Sequence, residues 1–129
     1  MLKILKMKKF LTLIVFATVF SLNAFSQEKT QKFMQITSME SVIGGGLGRS
    51  KMIITKEDGT QEDLDMNNLF SLTGMNLKNI KENEAQIIAV LKKYINEGWK
   101  LQSTIPLTLS PGQNGQGIFM TRYLLVKEG

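Results

Sequence analysis

The 129-residue sequence predicts an α+β fold: a small antiparallel sheet of about four to five strands with one main helix packed on one face, in the order β-β-(β)-α-β-β. Three observations predict it. Apolar residues recur every three to four positions between Ile80 and Ile95, the period of a helix with one buried stripe. Before and after that stretch the period falls to two, the signature of half-buried strands. The two periods are separated by turn chemistry, Asp58-Gly59 between two strand-like runs and Glu97-Gly98 at the end of the helical run.

The chain begins with a segment that belongs to targeting and not to the fold. Lys3, Lys6, Lys8 and Lys9 form a positive start, Phe10 to Phe20 is an uncharged apolar run, and Ala24 and Ser26 place small residues before Gln27. This is the pattern of a secretory signal peptide, predicting cleavage after Ser26 and one small α+β domain over residues 27–129. A retained membrane anchor is the alternative. The apolar run is short of the about 20 residues that a spanning helix needs, which favours cleavage. Translation from Met7 would leave the same product, so the choice of start changes nothing downstream.

After a polar lead from Gln27 to Gln31, Lys32 to Val42 reads as a strand. Its alternation of Met34 and Ile36 slips before Met39, which predicts a possible bulge. Gly44-Gly45-Gly46-Leu47-Gly48 breaks the run. Lys51 to Lys56 resumes it, with Met52 and Ile54 on one face and Ile53 on the other. Glu57-Asp58-Gly59-Thr60 is a hairpin turn because glycine accepts the positive φ such turns demand. Gln61 to Asp65 is the return strand. Met66 to Lys78 is too apolar for a solvated linker and is expected to pack over the sheet as a turn or short helix interrupted at Gly74.

Ile80, Glu84, Ile87, Ile88, Leu91, Tyr94 and Ile95 form the predicted buried stripe of the helix. Asn79 with Glu82 three residues on resembles a capping box at its start, and Gly98 suits its end. Trp99, Leu101, Ser103 and Ile105 then share one strand face. Pro106 is expected to end or kink that strand, and Ser110 to Gly117 to form a loop. Ile118 to Val126 is apolar on both faces, as a central strand covered on both sides would be. One helix cannot cover two faces, so either Met66 to Leu77 or another copy of the protein is expected to cover the second.

Composition removes whole classes of chemistry. The chain has neither histidine nor cysteine. That excludes disulfides, zinc sites of the usual ligand types, Cys or Ser-His nucleophiles and imidazole acid–base catalysis. The formal charge of +5 is a property of the leader. Four lysines and no acids precede Gln27, so residues 27–129 carry twelve basic and eleven acidic groups, a net charge of +1. A nearly neutral domain has no field directed at phosphate, which argues against nucleic acid.

Three constellations carry more ordinary readings than the chemistry they resemble. Gly44 to Ser50 could cradle an anion, but Ile43 stands where a P-loop needs its first glycine, Arg49 replaces the lysine, and a strand follows instead of a helix. A hairpin loop is the expected reading. Asp63-x-Asp65-x-Asn67 starts like a calcium loop, yet Asn68 replaces its glycine and Gly74 its bidentate glutamate. With Glu57, Asp58 and Glu62 these acids make a solvated hairpin. Arg122 in an apolar strand is expected to bridge to a helix carboxylate or to sit at an edge. No catalytic, cofactor-binding or metal-binding residues are assigned, and no cofactor is expected.

The run Ile88-Ala89-Val90-Leu91-Lys92-Lys93-Tyr94-Ile95-Asn96-Glu97-Gly98-Trp99-Lys100-Leu101, with Tyr123-Leu124-Leu125-Val126-Lys127 after a loop, resembles a family of short, often exported bacterial proteins of unknown function. Those proteins carry a helix, an acidic-Gly-Trp corner, a strand and a closing Tyr-x-Leu-x-Lys type strand. The likeness covers about Ile80 to Lys127. It implies a fold and carries no catalytic residues over. Read physically, the same corner caps a helix and delivers the Trp99 indole to the core.

The expected function is that of a small exported, periplasmic or extracellular, non-enzymatic module for binding or protein–protein interaction, with a protein partner or a second copy as its contact. Membrane contact is expected only during export. The rival expectation is a small-ligand binder or enzyme with a site between the 44–50 and 110–117 loops, using Arg49 and carboxylates.

Overall fold

A computed structural model describes residues 30–43, 49–109 and 117–129, together with the isolated Ile4. The expected leader over residues 1–26, the Gly44 to Gly48 loop and Ser110 to Gln116 lie outside the described residues, Ile4 excepted. The elements run β1 (Gln31–Ser41), β2 (Ser50–Thr55), β3 (Gln61–Met66), β4 (Phe70–Ser71), β5 (Gly74–Met75), α1 (Leu77–Asn96), β6 (Lys100–Leu109) and β7 (Ile118–Glu128). Five strands form one antiparallel sheet in the order β3-β2-β1-β7-β6, and β4 pairs with β5 in a small hairpin. The α+β class, the size of the sheet and the position of the helix between the strand groups are those the periodicity predicts.

The core lies between α1 and one face of the sheet. Met34 and Ile36 on β1, Met52 and Ile54 on β2, Met66 on β3 and Leu125 on β7 are buried there against Leu91 and Tyr94 of the helix. Trp99 packs partly buried against this cluster, as do Ile87, Val90, Leu64 and Tyr123. Each strand sends every second residue to this face, and burying each of these apolar side chains contributes about 1.5–3 kcal/mol.

Both ends of α1 are closed by local chemistry. Asn76 is the N-cap, its side chain accepting from the N–H groups of Lys78 and Asn79. The helix thus starts two residues before the Asn79 expected from the sequence, and Asn79 instead donates to the Asn68 carbonyl at 2.8 Å. At the other end Gly98 has φ 92°. Its N–H donates to Ile95 O at 3.0 Å, and the Trp99 N–H donates to Tyr94 O at 3.0 Å. These two bonds form a Schellman motif, which puts Trp99 beside Tyr94 at the edge of the core. The Lys127 ammonium donates to the Glu97 carbonyl at 2.7 Å and satisfies a further C-terminal acceptor.

The structure revises several sequence expectations. β1 contains no bulge: its eleven residues pair with β7 without a shift, and Met39 simply points to the face away from the helix. The bulge lies in β6, where the register shifts between Leu101 and Ser103 and leaves Gln102 as the extra residue. Beyond it every side chain changes face, so Leu101 shares the helix side with Leu125 while Ser103 and Ile105 do not. Pro106 neither ends nor kinks the strand, which continues in register to Leu109. β6 is an edge strand, where a proline can turn its bare nitrogen to solvent.

The stretch from Met66 to Lys78 forms the β4–β5 hairpin and the first helical turn. It is tied to the helix side of the molecule: Leu69 N–H donates to Ser41 O, and Asn67 bonds to Asn83 of α1. It does not extend over the other sheet face, and among the described residues no second layer covers β7 there. Among the described residues no helix is long and apolar enough to cross a membrane.

Candidate functional site

The open face of the sheet is the largest feature the fold leaves unexplained. Pairing registers place Asp63, Ile53, Thr37, Arg122 and Ile105 in one row across it, and Asp65, Lys51, Met39, Met120 and Leu107 in the next. Charges gather on the β3 side, where Lys51 bridges Asp63 at 3.3 Å and Asp65 at 3.9 Å. The β7–β6 side is apolar. Ile105, Leu107 and Leu109 are between 43% and 65% exposed there, and Ile118 and Phe33 extend the patch along β7 and β1. Isolated exposed apolar residues are ordinary; a contiguous patch on one sheet face marks a contact surface.

Arg122 lies in the middle of this apolar field. The expectation of an edge position or a bridge to a helix carboxylate is not met: β7 lies between β1 and β6, and the register turns Arg122 to the face away from α1. No described carboxylate pairs with it. The β6 edge beside it carries Pro106 and the Gln102 bulge, both of which hinder addition of another strand. What this surface offers is therefore the side chains of its face and not a free strand edge.

A second concentration of polar groups lies under the helix. Asn83 is fully buried, with 0% of its surface exposed. Its Oδ1 accepts from the Asn67 N–H at 2.9 Å, and its Nδ2 donates to Asn67 O at 2.8 Å and to Glu40 Oε1 at 3.0 Å. Ser38 is buried nearby, and desolvation raises the Tyr123 hydroxyl pKa above its usual 10.0, opposed by a hydrogen bond to Ser38 and assisted by the Glu40 charge. Asn83 is satisfied by its partners, and its bonds fix the rotation of α1 over β1 and the segment after β3. Sequence periodicity missed it because an asparagine inside a helical stripe reads as a polar residue facing solvent.

Two of the concavities that border the core bear on the expected sites. One, of about 270 Å³, is walled by Val42, Leu69, Phe70, Ile80, Leu109 and Phe119 and is almost wholly apolar. Val42 and Leu109 lead towards the two loops between which a ligand site was expected, and those loops lie largely outside the described residues. Arg49, just after the first of them, is exposed. The other, of about 400 Å³, lies at the opposite end of β1, where Trp99, Tyr94 and Met34 meet Lys56, Lys93 and Glu97. The acids of the β2–β3 hairpin are engaged in local contacts: Glu57 with Lys32 at 3.0 Å, Glu62 with Lys56 at 3.9 Å, and Asp58 with Thr60. The Thr60 hydroxyl and N–H hold the Asp58 carboxyl below its ordinary pKa. No family model, curated protein or solved structure matches the chain.

Proposed function

We propose that this chain is an exported, non-enzymatic protein-interaction module whose contact surface is the outer face of β7 and β6. The observation that carries the reading is the exposed apolar field of Ile105, Leu107, Leu109 and Ile118 around Arg122. Its partner is a protein, not nucleic acid, since the domain after the leader is nearly neutral. The leader directs the chain to the periplasm or beyond and is removed. The likeness of Ile80 to Lys127 to a family of short, often exported proteins accords with this.

A photo-crosslinking residue in place of Met120, on the apolar field, is expected to yield a covalent protein adduct in cells making the full chain. The same residue in place of Thr60, exposed in the β2–β3 turn, is not. Absence of any adduct at position 120 would sink the proposal. Mass spectrometry of the exported product is expected to find Gln27 as its first residue, and an intact leader would point to an anchored protein instead.

The 270 Å³ apolar cavity favours a second reading, a site for a small apolar ligand. Native mass spectrometry showing a co-purifying apolar compound, lost on Phe119→Arg, would support it.

A further inference from the structure

We propose that the protein docked on this outer face is a second copy of the same chain, presenting one flank of α1. The inference rests on the interaction-module reading and names its partner.

The flank is defined by what the helix already uses. Asn79 and Gln86 hydrogen-bond to Asn68 O and Asp65 O, and Glu82 accepts from Asn67, so this side of α1 faces β3 and the segment after it. Leu77, Glu84, Ile88 and Ile95 fall on the opposite side, within an arc of about 40° at 100° per residue. Leu77, Ile88 and Ile95 are between 48% and 64% exposed. Ile88 and Ile95 were expected in the buried stripe, but the helix is rotated so that Asn83, Leu91 and Tyr94 occupy its centre. The result is an apolar stripe with one carboxylate inside it. Glu84 pairs with no described residue.

The outer face of β7 and β6 is the complement: an apolar band with one guanidinium inside it. The dimensions agree. Leu77 to Ile95 spans about 27 Å at 1.5 Å per residue, and Ile118 to Val126 spans about 27 Å at 3.4 Å per residue. Glu84 lies about 10 Å from the Leu77 end, and Arg122 about 14 Å from either end of its run, a difference within reach of the arginine side chain. Two strands spaced about 4.8 Å apart present a band as wide as one helix of about 10 Å diameter. A face-to-face pair of sheets sharing a two-fold axis on β7 would instead set Arg122 against Arg122.

The contact is heterologous, since helix flank meets sheet face and not its own equivalent. Such contacts propagate into chains or close into rings. One helix on two strands is a small interface, so association is concentration-dependent and belongs to the weak class.

Sedimentation velocity of the purified protein over a wide concentration range tests this. Mass is expected to rise with concentration past the dimer. Arg122→Glu and Glu84→Arg are each expected to weaken association about tenfold or more, and the double variant to restore it. Both sites are exposed, so the melting temperature is expected to hold; Arg122→Gln and Glu84→Gln provide neutral versions that weaken without repelling. A closed dimer untouched by these variants, or a double variant no better than the singles, would overturn the inference. A wild-type monomer at all concentrations would also overturn it. If Met120 then still crosslinks to another protein, the interaction-module reading survives; with no adduct, both fall.

Discussion

Asn67 and Asn83 hold each other by two reciprocal hydrogen bonds, the Asn67 N–H to Asn83 Oδ1 at 2.9 Å and Asn83 Nδ2 to the Asn67 carbonyl at 2.8 Å. A side chain here substitutes for a strand neighbour, satisfying a backbone N–H and C=O just past the end of β3. The remaining proton of that amide goes to Glu40 on β1, so one helix residue ties two parts of the chain to α1. Asn83→Leu would remove the partner of three part-buried groups, the Asn67 N–H and C=O and the Glu40 carboxylate. It is expected to cost about 2–4 kcal/mol, read from the urea midpoint, with most of the loss retained in Asn83→Ala.

Tyr94 presents the opposite case. Its ring is buried in the core and lies 5.0 Å from the Lys93 ammonium, yet its hydroxyl is buried with no hydrogen-bond partner. An unsatisfied buried hydroxyl costs about 1–3 kcal/mol. Tyr94→Phe is therefore expected to leave the fold unchanged and to raise the melting temperature, corresponding to a gain of up to about 1 kcal/mol. A clear loss of stability in this variant would show that the hydroxyl is bonded in solution.

Gly98 adopts φ 92° in the Schellman motif, a conformation L side chains rarely take. An added Cβ would meet Lys127 Cε at 3.5 Å, ordinary contact, so the penalty is conformational and not steric. Gly98→Ala is expected to cost about 1–2 kcal/mol. Gly98→Asn is expected to cost less, since asparagine tolerates this region, and equal losses would count against the conformational account.

Tyr123 predicts a loss of stability in alkali. Its folded pKa is raised above 10.0, chiefly by burial, so folding favours the protonated hydroxyl. The stability this contributes is complete below the unfolded value near 10 and declines as pH rises through the higher folded value. In a Tyr94→Phe background Tyr123 is the remaining tyrosine, and its phenolate absorbance is expected to rise with a midpoint above 10. Chemical denaturation between pH 8 and 11 should show a decline that Tyr123→Phe flattens.

Much of this protein was legible before its tertiary structure. Asp58-Gly59, Gly98 and the periods on either side of the helix placed the turn, the helix end and the strand groups, because each depends on residues within a few positions of one another. The failures have one origin. Met39 was read as a slip in β1 and Gln102 passed unnoticed, although alternation alone cannot distinguish a bulge from a residue of the wrong polarity on the open face. Ile88 and Ile95 were placed in the core because a stripe of seven candidates is wider than the sheet it meets.

The sequence by itself determined the class of the fold, its main helix, its lack of imidazole and thiol chemistry, and the near-neutral charge of residues 27–129. These follow from composition and local spacing. Only the tertiary structure decided that Asn83 belongs to the interior, that β6 changes face after Gln102, and that Arg122 lies in an apolar field on the side away from the helix. Each depends on which distant strand a residue pairs with. A local pattern says that a face is apolar; the fold decides whether anything covers it.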